Sequence, residues 1–138
     1  MKRITKSELK DLTYQINGAA IEVHKALGAG LFERVYQECL MHELNRRNIN
    51  FQSEKQIPIQ YKDFECQTDL RCDLIIENLV VVELKSVEII KPIHEAQLLT
   101  YMRLLEVPKG ILFNFYSKNL YTDGQKTFVN NHYQWLED

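Results

Sequence analysis

The sequence predicts an α/β layered domain, with helices covering both faces of a mostly buried sheet. Two neighbouring segments, Arg71–Ile76 and Leu79–Val87, are apolar on both faces, as strands in the middle of a covered sheet are. Segments with helical periodicity precede them. A helix-length stretch and another apolar strand follow, which is the spacing of a right-handed crossover to a parallel neighbour. At 138 residues, 45% hydrophobic and 26% charged, the chain is expected to form a single domain over residues 1–138 around one sizeable core.

Leu12, Ile16, Ala19, Ala20, Val23 and Leu27 recur at helical spacing, so a first helix is expected from about Ser7, its candidate N-cap, to Leu27. Gly28-Ala29-Gly30 ends it. Leu31, Val35, Tyr36, Leu40 and Leu44 mark a second helix from Leu31 to about Asn48, followed by a polar linkage. Gln56–Tyr61 reads as an edge strand because Pro58 cannot donate to a ladder, and Lys62-Asp63 as a turn. Arg71–Ile76 and Leu79–Val87 form a hairpin about Asn78. Pro92 suits the first turn of a third helix that opens at Lys91–His94 and closes near Val107, before Pro108. Lys109–Tyr116 is then a fourth strand, and Thr127–Tyr133 a short final element after the turn at Tyr121–Gly124.

Several classes are disfavoured. No apolar run approaches the roughly 18 to 20 residues of a membrane helix, and MKRITKSELK has no hydrophobic signal core, so a soluble, cytoplasmic protein with no membrane partner is expected. Cys39, Cys66 and Cys72 are odd in number and form no CxxC pair, which argues against a zinc site or a disulfide framework. With 17 Lys and Arg against 19 Asp and Glu, the net charge of −2 leaves no overall basic footprint for nucleic acid.

The run VVVELKSV, Val80–Val87, carries two charges inside a strand that should be buried. Alternation puts Glu83 and Lys85 on one face, and burying a charge is costly unless it is paired or holds a metal. A hairpin symmetric about Asn78 sets Asp73 directly opposite Glu83, with Cβ atoms about 4.5–5.5 Å apart, where like charges destabilise. A hard divalent cation such as Mg²⁺ relieves that repulsion while keeping water and phosphate oxygens as its other ligands. Lys85, one pleat further on, is placed to orient or deprotonate an attacking water and to stabilise phosphate charge. A plain ion-pair cluster at the sheet margin accounts for these three residues about as well.

Glu33 shares a helical stripe with Tyr36, Leu40 and Leu44, so an acid stands where an inward apolar residue is expected. A helix-start acid tilted to solvent is the alternative. Gln97 and Tyr101, four apart, share a face of the third helix and can be brought towards the carboxylates, with His94 one turn earlier. Taken alone, a core tyrosine and a solvated glutamine explain them equally.

The run Gly30-Leu31-Phe32-Glu33-Arg34-Val35-Tyr36, with IPIQY, RCDLIIENLVVVELKSVE, HEAQLLTYMRLL and GILFNF, resembles the GxxExxY proteins of the PD-(D/E)XK nuclease superfamily over roughly residues 12 to 116. The resemblance implies a mixed sheet of four to five strands flanked by helices. It implies metal-binding acids at Asp73 and Glu83, the signature lysine at Lys85, the helix acid at Glu33, and a QxxxY element at Gln97 and Tyr101. The function it implies is a Mg²⁺- or Mn²⁺-dependent nuclease acting on nucleic acid, most simply DNA. The metal would be bound by Asp73, Glu83 and the Leu84 carbonyl, with Glu33 direct or through water, and with Tyr101, His94 and Tyr36 in support. A homodimer is left open. The competing function is a non-catalytic module on the same scaffold that binds nucleic acid or a partner protein. Its candidate phosphate contacts are Lys2, Arg3, Lys6, Lys10, Arg46, Arg47, Lys91 and Arg103.

Overall fold

A computed structural model describes residues 4–138; Lys2 and Arg3 lie outside the described residues. Two helices, α1 (Lys6–Leu27) and α2 (Glu33–Arg46), lead into β1 (Phe51–Gln56) and a small hairpin of β2 (Ile59–Tyr61) and β3 (Phe64–Cys66). Then come β4 (Arg71–Ile76), β5 (Val80–Lys85), α3 (Pro92–Leu104) and β6 (Lys109–Asn114). A π-helical turn (Leu120–Gly124), β7 (Gln125–Val129) and the short α4 (Asn131–Gln134) complete the chain.

The main sheet has five strands in the order β1-β4-β5-β6-β7. Only β5 and β6 run parallel, joined through α3 as the crossover spacing requires. The other neighbours are antiparallel, so the sheet is mixed. The α1 and α2 helices bury Ile16, Ala20, Tyr36, Leu40 and Leu44 against Leu74, Val82, Leu84 and Phe113 on one face. On the other face α3 buries Leu98, Tyr101 and Met102 against Cys72, Val81 and Leu112. This helix lies close over β6: a Cβ at Gly110 would meet Met102 Sδ at 2.5 Å and Leu98 Cδ1 at 2.9 Å. No helix among the described residues is long and apolar enough to cross a membrane.

Several boundaries differ from those read in the sequence: β5 and β6 each end two residues early, at Lys85 and Asn114, and the expected final element is split into β7 and α4. The first helix is capped by Thr5 rather than Ser7, because Thr5 and Glu8 satisfy each other's backbone N–H in a capping box at 3.1 and 3.2 Å. The second starts only at Glu33. The expected strand Gln56–Tyr61 is two pieces: β1 ends at Gln56 and Pro58 separates it from β2. The polar stretch Phe51–Gln56 is itself the edge strand of the main sheet, mostly exposed. The turn at Lys62 (φ 55°) joins β2 to β3, which the sequence reading did not assign.

Candidate active site

The β4–β5 hairpin has the register expected from Asn78, with Leu74 opposite Val82, Ile75 opposite Val81 and Ile76 opposite Val80. Glu77 and Asn78 both take positive φ, as a tight hairpin turn demands. The next pair outward is Asp73 and Glu83, and there side chains take over from the ladder. Asp73 N–H donates to Glu83 Oε2 at 2.7 Å, and Leu84 N–H donates to Asp73 Oδ2 at 2.8 Å. Each carboxylate thus commits one oxygen to backbone and keeps the other.

The in-and-out alternation of β4 slips at this point. Leu74 and Ile76 belong to the α1/α2 core and Ile75 to the α3 core, yet Cys72 also lies in the α3 core. On the neighbouring strand the break has a visible cause. Glu54, the β1 residue between the pairs Ser53–Leu74 and Lys55–Cys72, has φ 52°, so it is in register with Asp73 but forms no ladder pair with it. A non-glycine residue in the left-handed region is costly in a strand and recurs where a side chain must be re-aimed. Gln37 of α2 closes the gap, its Nε2 donating to Glu54 Oε2 at 3.0 Å and to the Asp73 carbonyl at 3.2 Å. Beside them a cavity of about 430 Å³, lined by Arg34, Gln37, Glu54 and Asp73 among others, opens between α2 and β1.

Burial and crowding of acids set the electrostatics. Glu83 is only 5% exposed, and burial first, then the Asp73 charge, push its carboxyl up to about 8. The Asp73 N–H and Lys85 oppose the shift. Asp73 is raised by burial too; the Leu84 N–H opposes this, Glu54 raises it further, Lys85 lowers it, and Glu33 contributes least. On the α3 face, burial pushes the Tyr101 phenol up to about 12, assisted by Glu83 and offset in part by a hydrogen bond from Gln97. Burial and the same two acids raise the Cys72 thiol to about 12, so it stays an inert thiol.

Of the residues singled out in the sequence, Asp73 and Glu83 are brought together, with Leu84 bonded between them. Lys85 carries its charge to both acids. Its strand end is fixed from two sides. Phe115 N–H bonds the Lys85 carbonyl at 2.8 Å, and buried Asn114 accepts from Val87 N–H at 3.1 Å while donating to the Val87 carbonyl at 2.8 Å. Tyr101, buried on α3, feels the charges of Glu83 and Asp73, and Gln97 is tied to it by a side-chain hydrogen bond. His94 accepts the Lys91 N–H at 3.0 Å through Nδ1 at the start of α3, where burial, Lys85 and Lys91 lower its pKa.

The inward placement expected of Glu33 is not met. It opens α2 and is exposed, while Tyr36, Leu40 and Leu44 are fully buried. The stripe starts one turn later, because the first turn of the helix projects past the packed surface. Among the described residues no three of His, Cys, Asp and Glu gather closely enough to hold a metal.

Tyr36 proves to be the anchor of the loop before α2. Its hydroxyl donates to the Gly28 carbonyl at 2.5 Å and accepts the Leu31 N–H at 3.2 Å, and its ring stacks on Phe115 at 4.4 Å. Ser86 ties the same loop to β5 by donating to the Leu31 carbonyl at 2.7 Å. Gly30, at φ 104°, makes the bend that L side chains resist. Gln37, Glu54, Ser86 and Asn114 were missed in the sequence. Gln37 stands four residues after Glu33, a spacing that could have drawn notice; nothing local signalled Glu54.

The donor set suits a hard divalent ion: two facing, mutually repelling carboxylates, Glu83 buried and Asp73 half-buried, each with an uncommitted oxygen, and too few protein ligands to exclude water. No curated protein and no solved structure matches the chain. A model of the PD-(D/E)XK nuclease superfamily matches residues 10–127, nearly the whole length, taking in the loop before α2, both acids, the lysine and the α3 glutamine and tyrosine. By that match, with a mixed five-stranded sheet that fits it, the chain belongs to the PD-(D/E)XK nuclease superfamily.

Proposed function

We propose that the protein is a Mg²⁺- or Mn²⁺-dependent phosphodiesterase that hydrolyses nucleic acid, DNA in the first instance, in the cytoplasm. The observation that carries this reading is the reciprocal bonding of Asp73 and Glu83 in place of ladder bonds, which holds two repelling acids face to face beside Lys85. Asp73, Glu83 and the Leu84 carbonyl would hold the ion, with Glu33 reaching it through water. When bound, the ion supplies charge neutralisation at the phosphate and lowers the pKa of a coordinated water. Lys85 positions the attacking water and balances charge that grows on the phosphoryl oxygens. Gln97 steadies the scissile phosphate, and Tyr101, protonated at every physiological pH, holds the Gln97 amide in place.

The test is incubation of purified protein with single- and double-stranded DNA and RNA in Mg²⁺, Mn²⁺ or chelator. Metal-dependent cleavage that disappears in Lys85→Ala, with the circular dichroism spectrum unchanged, is the expected result. The exposed position of Glu33 gives the non-catalytic reading its one specific support. Salt-dependent binding without cleavage in any divalent metal would select it.

A further inference from the structure

Exposed apolar and aromatic side chains stand among charged ones near the emerging end of β5. Phe32 is 85% exposed, Ile89 72% and Tyr116 46%, and Phe32 is the most exposed large apolar side chain among the described residues. All three sit within a few residues of backbone tied to Lys85–Val87: Phe32 follows Leu31, which Ser86 holds; Ile89 follows Val87; Tyr116 follows Phe115, which bonds Lys85. The exposure of Phe32 is imposed. Its loop is clamped by Tyr36 at Gly28 and Leu31 and by Ser86 at Leu31, so the ring is presented to solvent from a fixed backbone beside Glu33.

Duplex and single strand both present phosphates to a protein, but a duplex hides the faces of its bases. Unpaired bases, in contrast, expose π-faces that stack on aromatic side chains whatever their sequence. We infer that Phe32 forms a stacking platform for an unpaired base next to the scissile phosphate, making the substrate single-stranded or frayed nucleic acid. This rests on the phosphodiesterase reading of the same site.

Binding is measured by fluorescence anisotropy in chelator, using a labelled single-stranded DNA oligonucleotide and the same strand annealed to its complement. Phe32→Ala should weaken single-strand binding about tenfold or more, leave the weaker duplex binding unchanged, and be rescued by Phe32→Trp, whose emission the oligonucleotide quenches. Single-strand binding unaltered in Phe32→Ala, tighter binding of duplex than of single strand by the wild type, or a dimer that Phe32→Ala converts to monomer in gel filtration would each overturn the inference. Binding of this kind with no cleavage of any nucleic acid would sink the phosphodiesterase reading alone; cleavage insensitive to Phe32 would sink the platform alone.

Discussion

Glu83 accepts the backbone N–H of Asp73 at 2.7 Å, while Asp73 accepts that of Leu84, the residue after Glu83, at 2.8 Å. The two acids therefore hold each other's strands at the point where the ladder stops. Removing either should disturb its partner's backbone as well as its own charge.

The first consequence is a pH dependence in the metal-free protein. Glu83 has a reference value of 4.5 and is pushed up to about 8, so the folded state favours its protonated form. Stability from this group is fully present below about pH 4.5 and is lost as pH rises through about 8. Melting temperature in chelator should fall across that window, and Mg²⁺ should restore it most at the alkaline end, where no proton competes. Glu83→Gln should flatten the profile; a metal-free melting temperature that rises from pH 5 to pH 8 would contradict the assignment.

Asp73→Asn separates charge from architecture. The amide oxygen can still accept the Leu84 N–H, so the fold should persist, while the loss of the negative charge should lower the Glu83 pKa. Cleavage should drop by about a thousandfold, the scale of several kcal/mol of lost transition-state stabilisation. Single-turnover rates beside melting curves would show activity lost and stability kept.

Gln37→Ala cuts the link from α2 to both Glu54 and the Asp73 carbonyl. Groups that orient a ligand typically cost about 10–100-fold in metal affinity or activity when removed. Titration calorimetry with Mn²⁺ should show weaker uptake in Gln37→Ala, with a smaller effect in Glu54→Gln, which keeps a hydrogen-bonding side chain. Equal affinity in all three proteins would leave Gln37 a purely structural residue.

Tyr36→Phe keeps the ring on Phe115 and removes the hydroxyl, leaving the Gly28 carbonyl and the Leu31 N–H unpaired. A cost of about 1–3 kcal/mol is expected from urea unfolding. The damage should extend to function, since the loop that carries Phe32 and Glu33 loses one of its two clamps.

What could be read in the sequence follows from where each signal lives. The pairing of Asp73 with Glu83 was legible because a doubly apolar hairpin with an obvious turn leaves few registers, and side-chain parity does the rest. The parallel β6 followed from the length of the α3 crossover. Strand β1 was illegible: an exposed edge strand reading FQSEKQ has no buried face to leave a pattern. Glu33 was misplaced because a helical wheel gives direction around an axis but not where the helix begins along the sheet. Glu54 was invisible for a deeper reason. Its charge raises Asp73 more than that of Glu33 does, and its backbone takes a left-handed dihedral where alternation assumes an ordinary one.

That dihedral has a further effect at the rim of the molecule. As the outermost strand, β1 presents free peptide groups on which a second polypeptide could align. The left-handed turn at Glu54 interrupts this row midway, and the charged Glu54 and Lys55 deny a flat apolar template. The distortion beside Asp73 thus also guards the protein's margin against self-association, and straightening it should favour aggregation over time.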